Sequence, residues 1–311
     1  MIYRHDIAAG MVKAPTVLPS GEPLLKAGRE AWTDALAPFA EQGFRAVEIH
    51  DGWLPFPTFS PAQIDDLRAA LETHGLASPS FAIARHSVIE PGHGEQNLSY
   101  TLDGLEIAHA MGASTLCIGL HPVLTEAQQS ARFFWDEPGR RDASDEQTFN
   151  TAVSRLGQIA ERAAELDILI SLEIYEDTLL GSPESALALL GAIDMPHVGL
   201  NPDIGNLIRL DRPVEPWRDL FEAMLPHSNY WHVKNYTRVE TTTGAETAPT
   251  TLEDGIIDYR EALDIAERAG FDGIIVCEQY SDDWLEVLGA NRVFLEGLLS
   301  IEQSLQKERA S

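Results

Sequence analysis

Short apolar runs rich in β-branched residues alternate with longer amphipathic stretches from one end of the chain to the other. Apolar runs of this length are typical of buried strands, and stretches with an apolar period of about 3.6 residues are typical of helices. Eight strands are predicted, at IYRHDIA from residue 2, FRAVEIH from 44, LASPSFAIAR from 76, STLCIGL from 114, ILISLEIY from 168, HVGLNPDI from 197, NYWHVKNY from 229 and GIIVCEQY from 273. The pattern therefore predicts an α/β fold built on a parallel sheet.

Several of the predicted helices have recognisable ends. Ser60-Pro61 predicts the start of a helix that ends at Gly75, Ser182-Pro183 predicts the start of another, and Gly270 ends a third. Serine before proline is typical of a helix start and glycine of a helix end. Eight strands alternating with eight helices favour closure into a single-domain (β/α)8 barrel spanning residues 1–311. An open doubly wound sheet is the alternative, but the glycine-rich phosphate loop expected after its first strand does not occur in this sequence.

Two connections are much longer than the others, at about residues 121–150 and 238–256. Both follow the carboxyl end of a predicted strand, which is the end of a (β/α)8 barrel where active sites are built. The first contains three consecutive aromatic residues, Phe133, Phe134 and Trp135, and the second is polar. We expect these connections to cover a site.

The charge of the chain is its most unusual bulk property. Its 311 residues include 22 Lys and Arg against 49 Asp and Glu, which gives a formal net charge of −27. A surface this acidic repels phosphate backbones and anionic membranes, so we expect no nucleic-acid or membrane partner. No stretch approaches the roughly 18 apolar residues of a membrane span, and the first residues do not form a secretion signal. Cys117 and Cys277 lie in apolar runs. We therefore expect a cytoplasmic protein with two buried free thiols.

Four residues that can bind a metal fall at the carboxyl ends of predicted strands five to eight. They are Glu173, Asp203, His232 and Glu278. Alternation places Glu173 and His232 inside the barrel, whereas Glu278 shares its parity with the apolar Val276, so alternation alone leaves its direction open. Three carboxylates and one imidazole favour Mn²⁺, Mg²⁺ or Co²⁺ over a thiolate-type structural zinc. The sequence therefore predicts a site for one divalent ion.

The order LEIYE, NPDIGN, HVKN and CEQY resembles the Glu–Asp–His–Glu metal set of the xylose-isomerase-like superfamily, and GFRAVEIH is similar to its second strand. That superfamily of TIM barrels includes ketose 3-epimerases, hydroxypyruvate isomerase and inosose dehydratase. The resemblance implies that Glu173, Asp203, His232 and Glu278 hold one ion, most often Mn²⁺, and that Glu173 and Glu278 are also the acid–base pair.

The implied activity is that of a sugar isomerase or epimerase. It would remove a proton α to the carbonyl of a ketose or oxo-sugar through a metal-stabilised enediolate. Lys234, two residues after His232, would place a positive charge near the developing oxyanion or, equally well, form a salt bridge to a neighbouring carboxylate.

Further polar and aromatic residues at strand ends are candidates for binding substrate. Sugar pockets pair aromatic faces with donors to hydroxyl groups. The candidates are His50, Trp53, Arg85, His86, His121 and Asn206, with Trp231 also near a strand end, whereas His5-Asp6 cannot be placed. Asn206 stands where many ketose epimerases have a substrate-binding histidine, and Asn235 stands where relatives often have aspartate.

These two departures leave a second reaction open, since the same first step ends in elimination when a leaving group lies β to the carbanion. The alternative is therefore a lyase, either an inosose-type dehydratase or a C-glycoside deglycosidase α-subunit that cleaves 3-oxo-glycosides. We expect a homo-oligomer, joined by a small β-subunit if the chain is a deglycosidase. The DNA-repair branch of the superfamily needs a basic cleft and several zinc-binding histidines, and a non-catalytic barrel would be expected to lose ligands, so both are disfavoured.

Overall fold

Ten strands are present in the computed structural model, which describes residues 7–242 and 244–309. In chain order they are β1 (Ala8–Gly10), β2 (Ala46–His50), β3 (Ala77–Ile83), β4 (Thr115–Ile118), β5 (Leu169–Glu173), β6 (Val198–Asn201), β7 (Tyr230–Val233), β8 (Asn235–Glu240), β9 (Ala245–Thr250) and β10 (Ile274–Cys277). Eight of them form one parallel sheet, and β8 and β9 form a separate antiparallel hairpin. The eight strands of the sheet are those that the sequence predicts. Residues 1–6, which include His5-Asp6 and most of the first predicted strand, lie outside the described residues.

The parallel sheet curves into a nearly closed barrel. Its hydrogen-bonded order is β6-β5-β4-β3-β2-β1-β10-β7. Between the two end strands, the ladder is replaced by one bridge, from Leu200 to Ser228, and by a hydrogen bond from the Asn229 amide to the Leu200 carbonyl. The Asn201 side chain also reaches across, since its Oδ1 accepts from the His232 amide at 2.8 Å. The junction between β6 and β7 is therefore a seam held partly by asparagine side chains.

Ten α-helices lie between and around the strands in the part of the chain that the structure describes. They are α1 (Leu24–Glu41), α2 (Pro61–Thr73), α3 (Gly94–Met111), α4 (Glu126–Ser130), α5 (Glu146–Glu165), α6 (Pro183–Ile193), α7 (Gly205–Ile208), α8 (Trp217–Met224), α9 (Tyr259–Ala269) and α10 (Trp284–Arg309). Each strand of the barrel is followed by one long helix, and α4 and α7 are short additions at the carboxyl ends of β4 and β6. The predicted alternation of eight strands with eight helices is confirmed.

Helix ends follow the chemistry that the sequence shows. The Ser60 hydroxyl accepts from the Gln63 amide and the Gln63 side chain returns the bond, which completes a capping box before α2. The Ser182 hydroxyl caps α6 by accepting from the Ser185 amide. Gly270 ends α9 in the left-handed conformation, with φ of 76°, which glycine adopts without strain.

The apolar core has two layers. A small cluster fills the inside of the barrel, and a much larger one packs the helices against the outside of the sheet. The inner cluster consists of Ala8, Ala46, Ala82, Cys117, Tyr230, Ile274 and Val276. The sequence left the direction of the Glu278 side chain open. Because Val276 faces the inside of the barrel and Glu278 has the same parity, Glu278 also points inward.

The two long connections differ in structure. The segment after β4 contains α4 and a 3-10 helix, Phe134–Asp136, before α5 begins. The segment after β7 is mostly the β8–β9 hairpin, which the sequence did not predict because the hairpin is polar and carries no alternating apolar face. Among the described residues, no helix is both long and apolar enough to cross a membrane. Cys117 and Cys277 are buried free thiols, as predicted.

Candidate metal and active site

Four strand ends bring Glu173, Asp203, His232 and Glu278 together at the carboxyl end of the barrel. The Nδ1 atom of His232 lies 3.4 Å from Glu278 Oε1, 3.8 Å from Glu173 Oε1 and 3.9 Å from Asp203 Oδ2. All four side chains are buried. The proximity predicted from strand order is therefore present in the structure.

Lys234 supplies the positive charge nearest to this cluster. Its Nζ lies 2.5 Å from Asp203 Oδ2 and 2.7 Å from Glu278 Oε2. The lysine stem passes so close to α7 that a Cβ at Gly205 would lie 2.5 Å from Lys234 Cγ. Glycine at this position therefore lets the ammonium reach both carboxylates. Of the two roles predicted for Lys234, the structure shows the salt bridge.

Asn206 also contacts the cluster. Its Nδ2 donates to Glu173 Oε1 at 2.9 Å, to Asp203 Oδ2 at 3.2 Å and to the Ile174 carbonyl at 2.9 Å. A single amide thus links two of the candidate ligands. Asn206 reaches them because the short helix α7 follows Asp203 directly.

His121 lies on the side of Glu173 opposite the ion-pair network. Its Nε2 is 3.5 Å from Glu173 Oε2, and its ring packs edge-on against Tyr175 with centroids 4.4 Å apart. The Nδ1 atom of His121 is buried and has no hydrogen-bond partner. His121 is thus the one candidate histidine outside the ligand set that touches a carboxylate of the cluster, among the residues that the structure describes.

The pKa values of the cluster show the effect of crowding negative charge in a buried space. Burial raises the pKa of the Asp203 carboxyl to about 7, although the Lys234 ammonium opposes this shift. Burial also opposes ionisation of Glu173, but charge and hydrogen bonds from His121 and His232 bring its pKa well below the ordinary value. Buried carboxylates gathered in this way are stabilised by positive charge, and a divalent cation would supply it.

The donor set fits such an ion. Ligand atoms about 2.1 Å from an octahedral cation lie about 3.0 Å apart when adjacent and about 4.2 Å apart when opposite. The three separations from His232 Nδ1, 3.4 to 3.9 Å, fall between these limits. His232 Nδ1 and Asp203 Oδ1 are buried without any hydrogen-bond partner, as expected of atoms reserved for another ligand. The Glu48 carboxylate forms a further potential metal-binding group with His232 and Glu278, but its hydrogen-bond contact is with Nε2, on the other edge of the His232 ring.

Three of the residues predicted to bind substrate form a separate group beyond β2 and β3. The His86 ring stacks on Tyr100 with centroids 4.0 Å apart, and its Nδ1 lies 3.2 Å from Asp51 Oδ2. His50 Nδ1 lies 3.5 Å from the other oxygen of Asp51, and Trp53 is buried. No hydrogen bond or ring contact within residues 7–242 and 244–309 joins His50, Trp53 or His86 to the carboxylate cluster.

Arg85 has its contacts outside both groups, with Tyr175, Pro122 and Phe134. Its Nη2 donates to the Tyr175 hydroxyl at 2.7 Å, its Nη1 donates to the Pro122 carbonyl at 3.0 Å, and no carboxylate pairs with it among the described residues. The backbone of Arg85 has φ of 61°, which is strained for a residue with a side chain. Arg85 lines a cavity of about 290 Å³ together with Tyr175 and Trp135.

The aromatic segment of the 121–150 connection covers this end of the barrel. Trp135 is 7% exposed and packs edge-on against Tyr236 and Tyr280, with centroids 5.5 and 5.4 Å away. The ring of Tyr280 lies 5.2 Å from Lys234 Nζ, so the cover reaches the ion-pair network directly. Phe134 lies against both Arg85 and Arg209. Because these contacts exclude water, the carboxylate cluster lies in a space of low dielectric constant.

Several residues at this site were not singled out from the sequence. Arg209 is buried, forms two hydrogen bonds of 2.9 Å with Glu176, and keeps Nε and Nη1 without partners. Glu48, fully buried, contacts His232. A charged residue at an inward position of an otherwise apolar strand, as in AVEIH, is the signal that could have identified Glu48. Trp231, in contrast, faces the helices and packs on Phe221, so it does not line the site.

Asn235 explains one departure from the pattern of relatives. Its Nδ2 donates to the Leu252 and Ile257 carbonyls at 3.0 and 2.8 Å, and its Oδ1 accepts from the Tyr236 and Ile257 amides at 3.0 and 3.1 Å. An aspartate could not donate to the two carbonyls. Asparagine is therefore needed here to fasten the hairpin to the barrel.

Comparison with known proteins gives consistent matches along the chain. A family model described as xylose isomerase-like TIM barrel matches residues 36–304. A ketose 3-epimerase of Arthrobacter globiformis is 26% identical over 254 residues, which are 78% of this chain and 75% of that protein. A 3-dehydroshikimate dehydratase of Bacillus anthracis is 27% identical over 143 residues, 42% of this chain and half of that protein's length. A xylose isomerase-like TIM barrel protein of Mycobacterium smegmatis, solved in complex with magnesium, is 33% identical with a TM-score of 0.91, over 96% of this chain and 97% of its own.

Proposed function

Because the chain belongs to the xylose isomerase-like TIM-barrel family, we propose that it is a divalent-metal-dependent isomerase or epimerase of a ketose or oxo-sugar. The observation that carries the proposal is the convergence of three buried carboxylates on the unpartnered Nδ1 of His232. Glu173, Asp203, His232 and Glu278 would hold one ion, with Mn²⁺ as the preferred metal and Mg²⁺ or Co²⁺ as alternatives. The magnesium in the Mycobacterium smegmatis protein supports a hard cation of this class.

The reaction would begin with removal of a carbon-bound proton next to the sugar carbonyl. A divalent ion supplies Lewis-acid stabilisation of the negative charge that this step creates. Glu173 and Glu278 are the candidate bases, since both carboxylates face the same centre from β5 and the end of β10. These strands are separated by β6 and β7 on one side of the barrel and by four strands on the other. Two carboxylates so placed can take the proton on one face of a substrate carbon and return it on the other, which is epimerisation.

Lys234 and His121 would assist the two candidate bases, Glu278 and Glu173, respectively. The Lys234 ammonium, held at Asp203 and Glu278, would stabilise negative charge on substrate oxygen in a site from which water is excluded. His121 contacts the other oxygen of Glu173 and would keep that carboxylate ionised. Neither residue needs to move far to act, because both already touch the acid–base pair.

The substrate pocket would extend from the carboxylate cluster toward Arg85. A cavity of about 290 Å³ beside Arg85, Tyr175 and Trp135 would receive the outer part of a sugar or glycoside, since no residue of the carboxylate cluster lines it. We propose that Arg85, His121 and Asn206 bind substrate hydroxyl groups near the metal and that the more distant His50, Trp53 and His86 shape the outer pocket. The segment with Phe134 and Trp135 would cover the bound sugar.

A lyase is the second candidate, and one specific observation favours it. The dehydratase of Bacillus anthracis shows that a relative of this chain carries the name of an elimination enzyme. Elimination uses the same first proton transfer and differs only in the fate of the carbanion. The lyase form would be an inosose-type dehydratase or a C-glycoside deglycosidase α-subunit acting on 3-oxo-glycosides.

We also propose a cytoplasmic homo-oligomer that binds neither nucleic acid nor membranes. The net charge of −27 supports this, because it opposes binding to anionic polymers and lipids. If the deglycosidase activity is found, a small β-subunit is the expected partner. Size-exclusion chromatography with light scattering on the purified chain measures the oligomer directly.

The proposal is tested by offering ketoses and 3-oxo-glycosides to the Mn²⁺-loaded protein in deuterated water. An epimerase places deuterium at the carbon that lost its proton, an isomerase places it at the neighbouring carbon that is reprotonated, and both conserve substrate mass apart from that label, whereas a lyase releases a smaller product. Glu173→Gln should abolish both exchange and turnover, and Glu30→Gln, an exposed control, should change neither. Turnover without any exchange, together with full activity of Glu173→Gln, would point to hydride shift or hydrolysis and would overturn the proposal.

A further inference from the structure

Glu48 is a fully buried carboxylate inside the barrel, one layer below the candidate metal site. It lies on β2, where Ala46 faces the barrel interior, and the alternation of the strand directs Glu48 to the same side. Its surroundings combine the apolar residues of the inner cluster with a few polar groups. A carboxylate in such surroundings is costly unless its contacts are used.

Two side chains of β7 contact the same oxygen of Glu48. The Nε2 of His232 lies 2.8 Å from Glu48 Oε2, and the Tyr230 hydroxyl donates to that oxygen as well. Tyr230 and His232 are two residues apart on one strand, so both face inward and reach Glu48 from the same direction. The Tyr230 hydroxyl in turn lies 2.8 Å from Ser80 Oγ on β3. A polar chain of Ser80, Tyr230, Glu48 and His232 therefore crosses the barrel.

The contact with Glu48 decides how the imidazole presents itself to the site above. An ionised carboxylate accepts only, so a hydrogen bond to ionised Glu48 requires the proton on Nε2 of His232. In the neutral ring Nδ1 then carries the lone pair, and Nδ1 is the atom that faces Glu173, Asp203 and Glu278 without a hydrogen-bond partner. Histidine ligands of metals are oriented in this manner by a partner on the other ring nitrogen.

We propose that Glu48 is a positioning residue that fixes the Nε2–H tautomer and the orientation of His232 and so determines how strongly the site binds its divalent ion. The inference rests on the proposed metal dependence. It adds a residue from β2, on the far side of the barrel from the four candidate ligands. A purely structural role does not account for a charged residue here. Glu48 Oε1 is buried with no hydrogen-bond partner, and an apolar residue would fill the same space without the cost of burying that oxygen.

Metal affinity is the property to measure, since it does not depend on knowing the substrate. The dissociation constant for Mn²⁺, determined by calorimetry at constant pH, should rise about 10- to 100-fold in Glu48→Gln. The glutamine side chain has the same shape but lacks the charge that strengthens the bond. Ser80→Ala is the matched control, because Ser80 belongs to the same polar chain but does not touch His232. It should change the dissociation constant by less than about threefold.

The tautomer is measured in the wild-type protein, so the inference can be tested even if Glu48→Gln does not fold. In ¹⁵N spectra of the Mg²⁺-loaded protein, assigned with a His232→Gln variant, His232 should show a proton on Nε2 and none on Nδ1. A proton on Nδ1 would overturn the inference, and so would a folded Glu48→Gln that binds Mn²⁺ as the wild type does. A wild-type protein that binds neither Mn²⁺ nor Mg²⁺ would instead overturn the proposed metal dependence.

Discussion

The Nζ of Lys234 lies 2.5 Å from Asp203 Oδ2, and both groups are buried. The same ammonium holds Glu278 at 2.7 Å, so a single cation neutralises part of two carboxylates. Burial lowers the pKa of Lys234, but the negative charges of Asp203 and Glu278 outweigh this effect and keep the pKa well above the ordinary value. The pair is thus a charged contact in an interior from which water is excluded.

Replacing Lys234 with methionine should therefore destabilise the metal-free protein. Removing one partner of a buried ion pair costs about 3–5 kcal/mol, because the remaining carboxylates lose their counter-charge. Added Mn²⁺ should restore part of the thermal midpoint by supplying that charge. Calorimetric melting of Lys234→Met with and without Mn²⁺ measures both effects, and Lys13→Met, at an exposed position, is the control.

The same variant reports on catalysis once a substrate is known. If Lys234 acts on the transition state, Lys234→Met should lower kcat more than it raises KM. An unchanged kcat would leave Lys234 with a structural role only.

Metal content should depend on Asp203 and Glu278. Asp203→Asn and Glu278→Gln keep the size of each side chain but remove one ligand charge, so each should retain far less Mn²⁺ after dialysis than the wild type. Elemental analysis of the purified proteins gives the ratio of metal to chain. Asp282→Asn, whose side chain is 90% exposed, should retain the wild-type amount. Equal metal in all four proteins would contradict the assignment of the ligand set.

Asn235→Asp should loosen the hairpin. The substitution places carboxylate oxygen against the Leu252 and Ile257 carbonyls in a buried position, and loss of the two donated bonds costs about 2–3 kcal/mol. Limited proteolysis should cut between residues 241 and 257 faster than in the wild type. Asn150→Asp, an exposed control with the same change of chemistry, should leave the cleavage rate unchanged. An intact hairpin in Asn235→Asp would show that Asn235 does not hold it.

Asp142 should make stability depend on pH. Its Oδ2 accepts from the Leu179 amide at 3.0 Å and so joins the covering segment to the loop after β5. Burial raises the pKa of Asp142 to about 6, the bond from Leu179 opposes the shift, and the negative charge of Glu90, itself paired with Arg140, adds to it.

Because this pKa is raised above the unfolded value, the stabilisation from Asp142 is present below about pH 3.8 and is lost as the pH rises through about 6. Asp142→Asn can keep the bond to Leu179 and stays neutral. It should therefore gain about 1 kcal/mol over the wild type above pH 6, since the side chain is partly solvated, and nothing below pH 4. The difference in thermal midpoint between the two proteins, followed from pH 4 to 8, measures this. A constant difference would contradict it.

The sequence predicted the barrel because its eight strands are marked by apolar runs, and strand order then placed the four candidate ligands at one end. Alternation worked for Glu173 and His232, whose strands have polar residues inward and apolar residues outward. It gave no answer for Glu278, because the inside of this barrel is itself filled with apolar side chains such as Ile274 and Val276. The chain pattern does not show how far an inner layer extends along a strand.

Contacts between residues far apart in the chain could not be predicted from the sequence, for a different reason. The bond between Glu48 and His232 joins residues 184 positions apart, and nothing in either local sequence indicates the other. The hairpin at Asn235–Glu240 and Ala245–Thr250 was missed because its stability comes partly from the buried Asn235 and not from an alternating apolar face. His50 and His86 were placed at the correct end of the barrel, but only the structure shows that they share Asp51 and lie apart from the carboxylates.

Candidate metal ligands lie on both sides of the seam between β6 and β7. Asp203 follows β6 and His232 lies on β7, so an ion bound to both would act as a cross-link over the junction with the fewest backbone hydrogen bonds in the described barrel. Loss of the ion would then release the barrel at that junction first, and amide hydrogen exchange at Val198–Asn201 and Tyr230–Val233 would accelerate before exchange at β3 or β4. The metal centre would thus govern the mechanical closure of the barrel as well as its chemistry.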